Sequence, residues 1–239
     1  MQDTPLQDAP APIDPIDPID LSDPTPATTE APSRGSDPFF GYLIALALSI
    51  GLTPLIPLNA DLRYALVWAL LALFGVAGWL LGSAPRIEGE TIENLAWGLV
   101  FGLLVGAPIL LVGGSTLTTT ARLMFTVGAP DGMLLPPGAL LSFVVFTQPL
   151  AETLFFRGVM QHRRSFWLVG VMSSLWTLVL FLPMLEIGRF PVVAVIIGIA
   201  LVLVNMIYSY VRQRNGLAAA WLCQIVVNVI MIVLPYFGS

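Results

Sequence analysis

A glutamate and an arginine, Glu152 and Arg157, stand five residues apart inside the apolar stretch QPLAETLFFRGVMQHRRS that runs from Gln148 to Ser165. An ionisable side chain at bilayer depth costs about 2.5 to 3.5 kcal/mol on insertion scales, so its retention calls for a reason. A carboxyl group there suits proton transfer, as a carrier in a proton-coupled transporter; the plain alternative is a pair that only registers helices. Gln148 lies one turn before Glu152 on the same face, whereas five residues place Arg157 about 140° around an α-helix. Arg157 is therefore expected to find an acceptor on another helix, or to snorkel toward the headgroups near Arg163 and Arg164.

The remaining polar residues point to less chemistry. The single histidine, His162, follows Glu152 by ten residues, roughly 15 Å along the helix, and is read as interfacial. Cys223 has no basic neighbour in sequence to lower its pKa and is read as packing. One histidine and one cysteine fall short of the three or four N/S ligands of a typical zinc site, and no cofactor is expected. Ser173 with Thr177 and Asn205 with Ser209 are each one turn apart and fit hydrogen bonding between helices. Gly75, Gly78, Gly82, Gly98, Gly102 and Gly106 favour close helix packing.

The elements that hold these residues follow from composition. Of 239 residues, 56% are hydrophobic and 10% charged, against about 25% charged in soluble domains, and the mean hydropathy is +0.86. The chain is therefore expected to be an integral membrane protein. Seven apolar stretches reach the roughly 20 residues needed to cross the hydrocarbon, near 39–58, 64–82, 94–114, 138–160, 166–185, 190–211 and 216–236. None alternates with period 2, so the predicted fold is an all-α polytopic transmembrane helical bundle. Residues 115–137 are predicted to hold a short interfacial helix. Residues 1–38 contain eight carboxylates, one arginine and nine prolines, and are predicted to be a disordered tail with no signal-peptide character, leaving 39–239 as the membrane domain. Alternating the loops puts Arg34, Arg86, Arg163, Arg164, Arg212 and Arg214 on one side and Arg63, Arg122 and Arg189 on the other. The positive-inside bias then predicts a cytoplasmic N-terminus and an external C-terminus.

The spacing of Pro149, Glu152, Phe156, Arg157 and Gly158 resembles the first motif, EExxxR, of the CPBP family of intramembrane endopeptidases, the group containing type II CAAX prenyl endopeptidases and bacteriocin-processing proteins. Thr153 stands at the second glutamate. Ser173, Ser174 and Trp176 are similar to the approach to the second motif, FxxxH, with Leu180 at the histidine. Asn215, Gly216 and Trp221 resemble the approach to the third, HxxxN, where Gln224 replaces the histidine and Asn228 is kept. The resemblance covers about 100 residues, Gly138 to Pro235, with a CPBP-like core over 138–236. It implies that Glu152 activates a water and that the residues at 180, 224 and 228 face it, making Glu152, Arg157, Gln224 and Asn228 the site. The second and third motif positions would stabilise the oxyanion. Leucine at 180 can donate no hydrogen bond, and losing one such donor costs about 100 to 1000-fold in rate. Gln224 keeps an N–H donor but cannot shuttle a proton as imidazole does.

Three readings follow. One is a family member with a degenerate catalytic site that binds or acts on membrane-associated peptides, transmembrane or lipidated. Another is an active glutamate endopeptidase, in which Gln224 and Asn228 form a two-donor oxyanion hole. The third is the transporter, against which the lack of an inverted repeat speaks. Partners are membrane lipid and peptide; no basic patch interleaves with aromatics, so no nucleic acid is expected. The expected location is the plasma membrane of a prokaryote. Glu152, Leu180, Gln224 and Asn228 are predicted to converge on one cavity between the fourth, fifth and seventh helices, with Gln148 at its edge.

Overall fold

The computed structural model describes residues 37–81, 90–127, 133–185, 188 and 191–238. The predicted tail lies outside the described residues up to residue 36, as do Arg34, Arg86 and Arg189. In hydrocarbon only a helix pairs all the backbone groups of a continuous apolar segment. The chain accordingly forms α1 (Pro38–Gly51), α2 (Ile56–Leu81), α3 (Ile92–Met124), α4 (Pro137–Arg163), α5 (Phe166–Met184), α6 (Pro191–Asn215) and α7 (Leu217–Phe237). It is an all-α integral membrane protein. Between α3 and α4, Thr126–Val127 (β1) and Met133–Leu134 (β2) pair antiparallel.

By length and apolar composition the described residues contain six membrane-length helical runs, the first being Pro38–Leu81 as a whole. That run doubles back. Its elbow contains Pro54 and Pro57, which lack the N–H that would continue a helix, and Asn59 leaves helical dihedrals at φ −162°, ψ 75°. Arg63 donates back to the Ser49 carbonyl at 3.2 Å, and a Cβ on Gly41 would meet the Phe74 ring at 3.3 Å, so α1 and α2 lie antiparallel. The two predicted stretches are thus one hairpin, and the described residues pass through the bundle seven times.

The two ends of the bundle are marked by contacts distant in sequence. At one end Arg164 pairs with Asp37 at 2.6 Å, and both carboxylate oxygens of Glu90 accept from the Ala218 N–H at 2.8 Å. The backbone N–H of Phe39, followed by Arg164, holds the Asp37 carboxyl below its usual range. At the other end the Tyr64 hydroxyl donates to the Met124 carbonyl and the Tyr236 hydroxyl to the Leu135 carbonyl, each at 2.8 Å.

Two expectations are corrected. Among the described residues after 115 no separate interfacial helix forms: α3 continues to Met124, because Thr118 and Thr119 turn their hydroxyls back onto the carbonyls of Gly114 and Ser115 and stay within the helix. Arg63 is not a loop residue; it is fully buried in α2.

Two hydrophobic clusters organise the interior. One is aromatic and joins α1, α2, α4 and α5 through Tyr42, Trp68, Phe155, Phe156 and Trp176. The other joins α6 and α7 through Val204, Tyr208, Val211, Cys223 and Val227. Helix α3 closes against α7 at Gly98 and Gly102, where any Cβ would collide with Ala219 and with Val226.

Candidate functional site

Helix α4 is not a regular α-helix. Two π-helical segments, Ser142–Thr147 and Thr153–Met160, flank a single α-turn, Gln148–Glu152, and a third, Val229–Val233, follows Asn228 in α7. Such turns, with i→i+5 bonding, concentrate at functional sites. Here the consequence is a change of register. An α-helix carries a side chain five residues on away from Glu152, whereas the π-turn brings Arg157 round, so that its Nη1 lies 3.5 Å from the Glu152 main-chain oxygen. The sequence stretch carries no mark of this widening.

Glu152 is 2% exposed and is the one buried acid among the described residues. Three N–H donors surround its carboxyl group. Gln224 Nε2 donates to Oε2 at 2.6 Å; Trp176 Nε1 and Gln148 Nε2 donate to Oε1 at 3.2 and 3.4 Å. The orientation of Gln224 is set from its other end, since its Oε1 accepts from the Thr153 hydroxyl at 3.1 Å. Thr153 and Gln224, both departures from the motifs that the sequence resembles, are therefore in direct contact. A threonine beside a glutamine satisfies a buried amide that an isolated substitution would leave unpaired.

Asn228 points into the same space, and its Nδ2 donates to the Val144 carbonyl at 2.9 Å and to Gln148 Oε1 at 3.4 Å. Both of its N–H groups have acceptors on α4. Arg157 is fully buried, and the acceptor expected on another helix is Asn205 Oδ1, at 2.8 Å. Asn205 in turn donates to Thr177 Oγ1 at 3.1 Å, which links α4, α6 and α5. The Tyr208 ring faces the guanidinium, 5.2 Å from its carbon to the ring centroid.

A cavity of about 60 Å³ opens beside these groups, with Gln148, Glu152, Gln224, Asn228, Asn205 and Thr177 among its walls. It has room for a few waters, each needing about 10 to 15 Å³ by the same measure. Its other walls are largely apolar, with Thr120 and Tyr208 among them, and come from α3, α5, α6 and α7.

Leu180 does not line this cavity. Its side chain is fully buried, and its carbonyl accepts from Arg63 Nη1 at 2.9 Å. The α5 contact to Glu152 is made one turn earlier by Trp176. A buried indole must donate its N–H somewhere, and that requirement was the signal, in sequence, for the missed residue. His162 lines a separate outer cleft, with Arg164 and Arg212, and Cys223 is buried. Among the described residues no three His, Cys, Asp or Glu side chains gather as metal ligands would.

Residues 135–230 match the family described as type II CAAX prenyl endopeptidase, Rce1-like. No curated protein and no solved structure matches the chain.

Proposed function

We propose, from the match of residues 135–230 to the Rce1-like family, that this protein binds membrane-associated peptides at the Glu152 cavity without hydrolysing them efficiently. The observation that carries this reading is the state of the hydrogen-bond donors. Peptide hydrolysis needs a carboxylate able to take a proton from water and preorganised donors aimed at the oxyanion. Here both Glu152 oxygens already accept N–H bonds, and Asn228, which would serve as an oxyanion donor, uses its amide on Val144 and Gln148. Gln224 holds Glu152 itself. The amides are organised around the resting carboxylate, so an attacked carbonyl would have to displace them.

The same polar ring, with an apolar surround, suits a ligand that brings one polar group on a hydrocarbon body, such as a lipidated or transmembrane peptide. The arginines at the Arg163, Arg164, Arg212 and Arg214 end favour a cytoplasmic N-terminus in a prokaryotic plasma membrane.

The experiment is reconstitution in liposomes with a farnesylated CAAX peptide and an unmodified transmembrane peptide, each carrying a photo-crosslinker. Crosslinking to α4 or α7 without product is the expected result. Product that disappears in Glu152→Gln would establish the active endopeptidase instead. Failure of either peptide to crosslink would leave peptide binding unsupported.

A further inference from the structure

A second cavity, of about 190 Å³, lies at the Tyr64 and Tyr236 end of the bundle, between the last turns of α3 and the first turns of α6. Thr116, Thr119 and Leu123 form its exposed lip, and Val193 and Ala194 its α6 side. It shares two wall residues, Thr120 and Ile197, with the inner cavity beside Glu152. Thr120 is 7% exposed and Ala194 7%, so the groove narrows from open surface to buried wall, and Leu201 and Val204 line the inner cavity on the far side of that shared wall.

Packing changes along α3. Toward its start, Gly98, Gly102 and Gly106 draw α3 against α7. Beyond Pro108 its inner face stays in the bundle through Leu117, Thr120, Ala121 and Met124, while Thr116, Thr119 and Leu123 on the groove side are exposed. The groove opens there beside Val192, Val195, Ile196 and Ile199 of α6, all exposed and apolar.

We infer that an acyl chain of a bilayer phospholipid enters sideways between α3 and α6 and runs inward, past Thr120 and Ile197, to the wall formed by Leu201 and Val204. Lining, surroundings and direction support this occupant. The groove walls are largely apolar, and the α6 surface beside them, Val192, Val195, Ile196 and Ile199, is exposed and apolar, which suits contact with hydrocarbon. A chain rooted in the leaflet at this end points toward the midplane, where the middle of α6 and Glu152 lie. Displacing that chain is then the step by which any ligand with a hydrocarbon body reaches Glu152 from the membrane. The inference concerns the lipid alone and does not depend on peptide binding.

The test uses the full chain in nanodiscs made with a phosphatidylcholine that carries a diazirine near the end of one acyl chain. After irradiation, labelled residues are located by mass spectrometry. Label is expected on the interior residues Thr120 and Val204, in addition to the exterior Val195 and Ile199. In Ala194→Trp, which fills the groove, interior label should be lost and exterior label kept. In Ile197→Ala, which widens the junction, interior label should rise. Exterior label without interior label in the parent would overturn the inference, as would equal interior label in all three proteins. Should Ala194→Trp fail to fold, Ile197→Ala decides alone, unchanged interior label counting against the inference. Peptide cleavage and crosslinking play no part in this readout, so its failure is distinct from failure of the proposed function.

Discussion

Two fully buried arginines solve the same problem in opposite ways. Arg63, near the elbow of the α1–α2 hairpin, is bound almost wholly by main chain: its guanidinium donates to the Leu180 and Ser49 carbonyls, with the Ser49 hydroxyl as a longer contact. Arg157 leans on side chains, the Asn205 amide and the Tyr208 ring, with only a long contact to the Glu152 carbonyl, and it belongs to a network that ends at a cavity. Main-chain acceptors cannot be exchanged by mutation and are aimed by the helices themselves, so Arg63 ties α2 to α1 and α5. Side-chain acceptors can be replaced one at a time, and those around Arg157 and Glu152 are open to such replacement. Burial of a charge therefore says little about function until its partners are known.

The largest effect is expected where architecture alone is at stake. Arg63→Met should lower stability by about 3 kcal/mol or more, since two buried carbonyls lose charge-assisted bonds worth about 1.5 to 3 kcal/mol each. Thermal unfolding in detergent would show this as a large fall in Tm. A near-normal Tm would mean that water reaches those carbonyls, and would break the contrast with Arg157.

An intermediate effect sharpens the contrast from the other side. Arg157→Met should destabilise, because Asn205 loses its cation and Glu152 the nearest positive charge. Glu152→Gln added to it should restore part of the loss, with a coupling of about 1 to 3 kcal/mol in a double-mutant cycle. Arg63→Met combined with Glu152→Gln should be additive. Equal coupling in the two cycles would mean that both arginines balance the same carboxylate.

The smallest effect concerns the donor that the sequence reading passed over. Trp176→Phe keeps the ring and removes the N–H to Glu152, and should cost about 1 kcal/mol. Its signature is the infrared carboxyl band of Glu152, identified by its absence in Glu152→Gln, which should move when the indole bond is removed. An unmoved band would show that Gln148 and Gln224 hold the carboxyl group without it.

The sequence by itself determined the membrane class and the helical passes and singled out Glu152 as an interior acid, because hydrocarbon permits few backbone solutions and charges a penalty on every interior ion. Motif spacing likewise marked the region from Gly138 to Pro235, which overlaps the family match over 135–230. Only the tertiary structure decided who touches whom. Thr153 and Gln224 are 71 residues apart and meet only after α4 and α7 pack, so each alone reads as a loss while together they form a bond. Arg157 reaches back toward Glu152 because α4 widens into a π-turn, a register change that hydropathy does not encode. Loop alternation places Arg63 between helices, yet the elbow before it turns α2 inward and its partners are carbonyls, which carry no residue identity. Pairwise contacts between distant helices depend on crossing and rotation, and those are set by the packing of all seven passes at once.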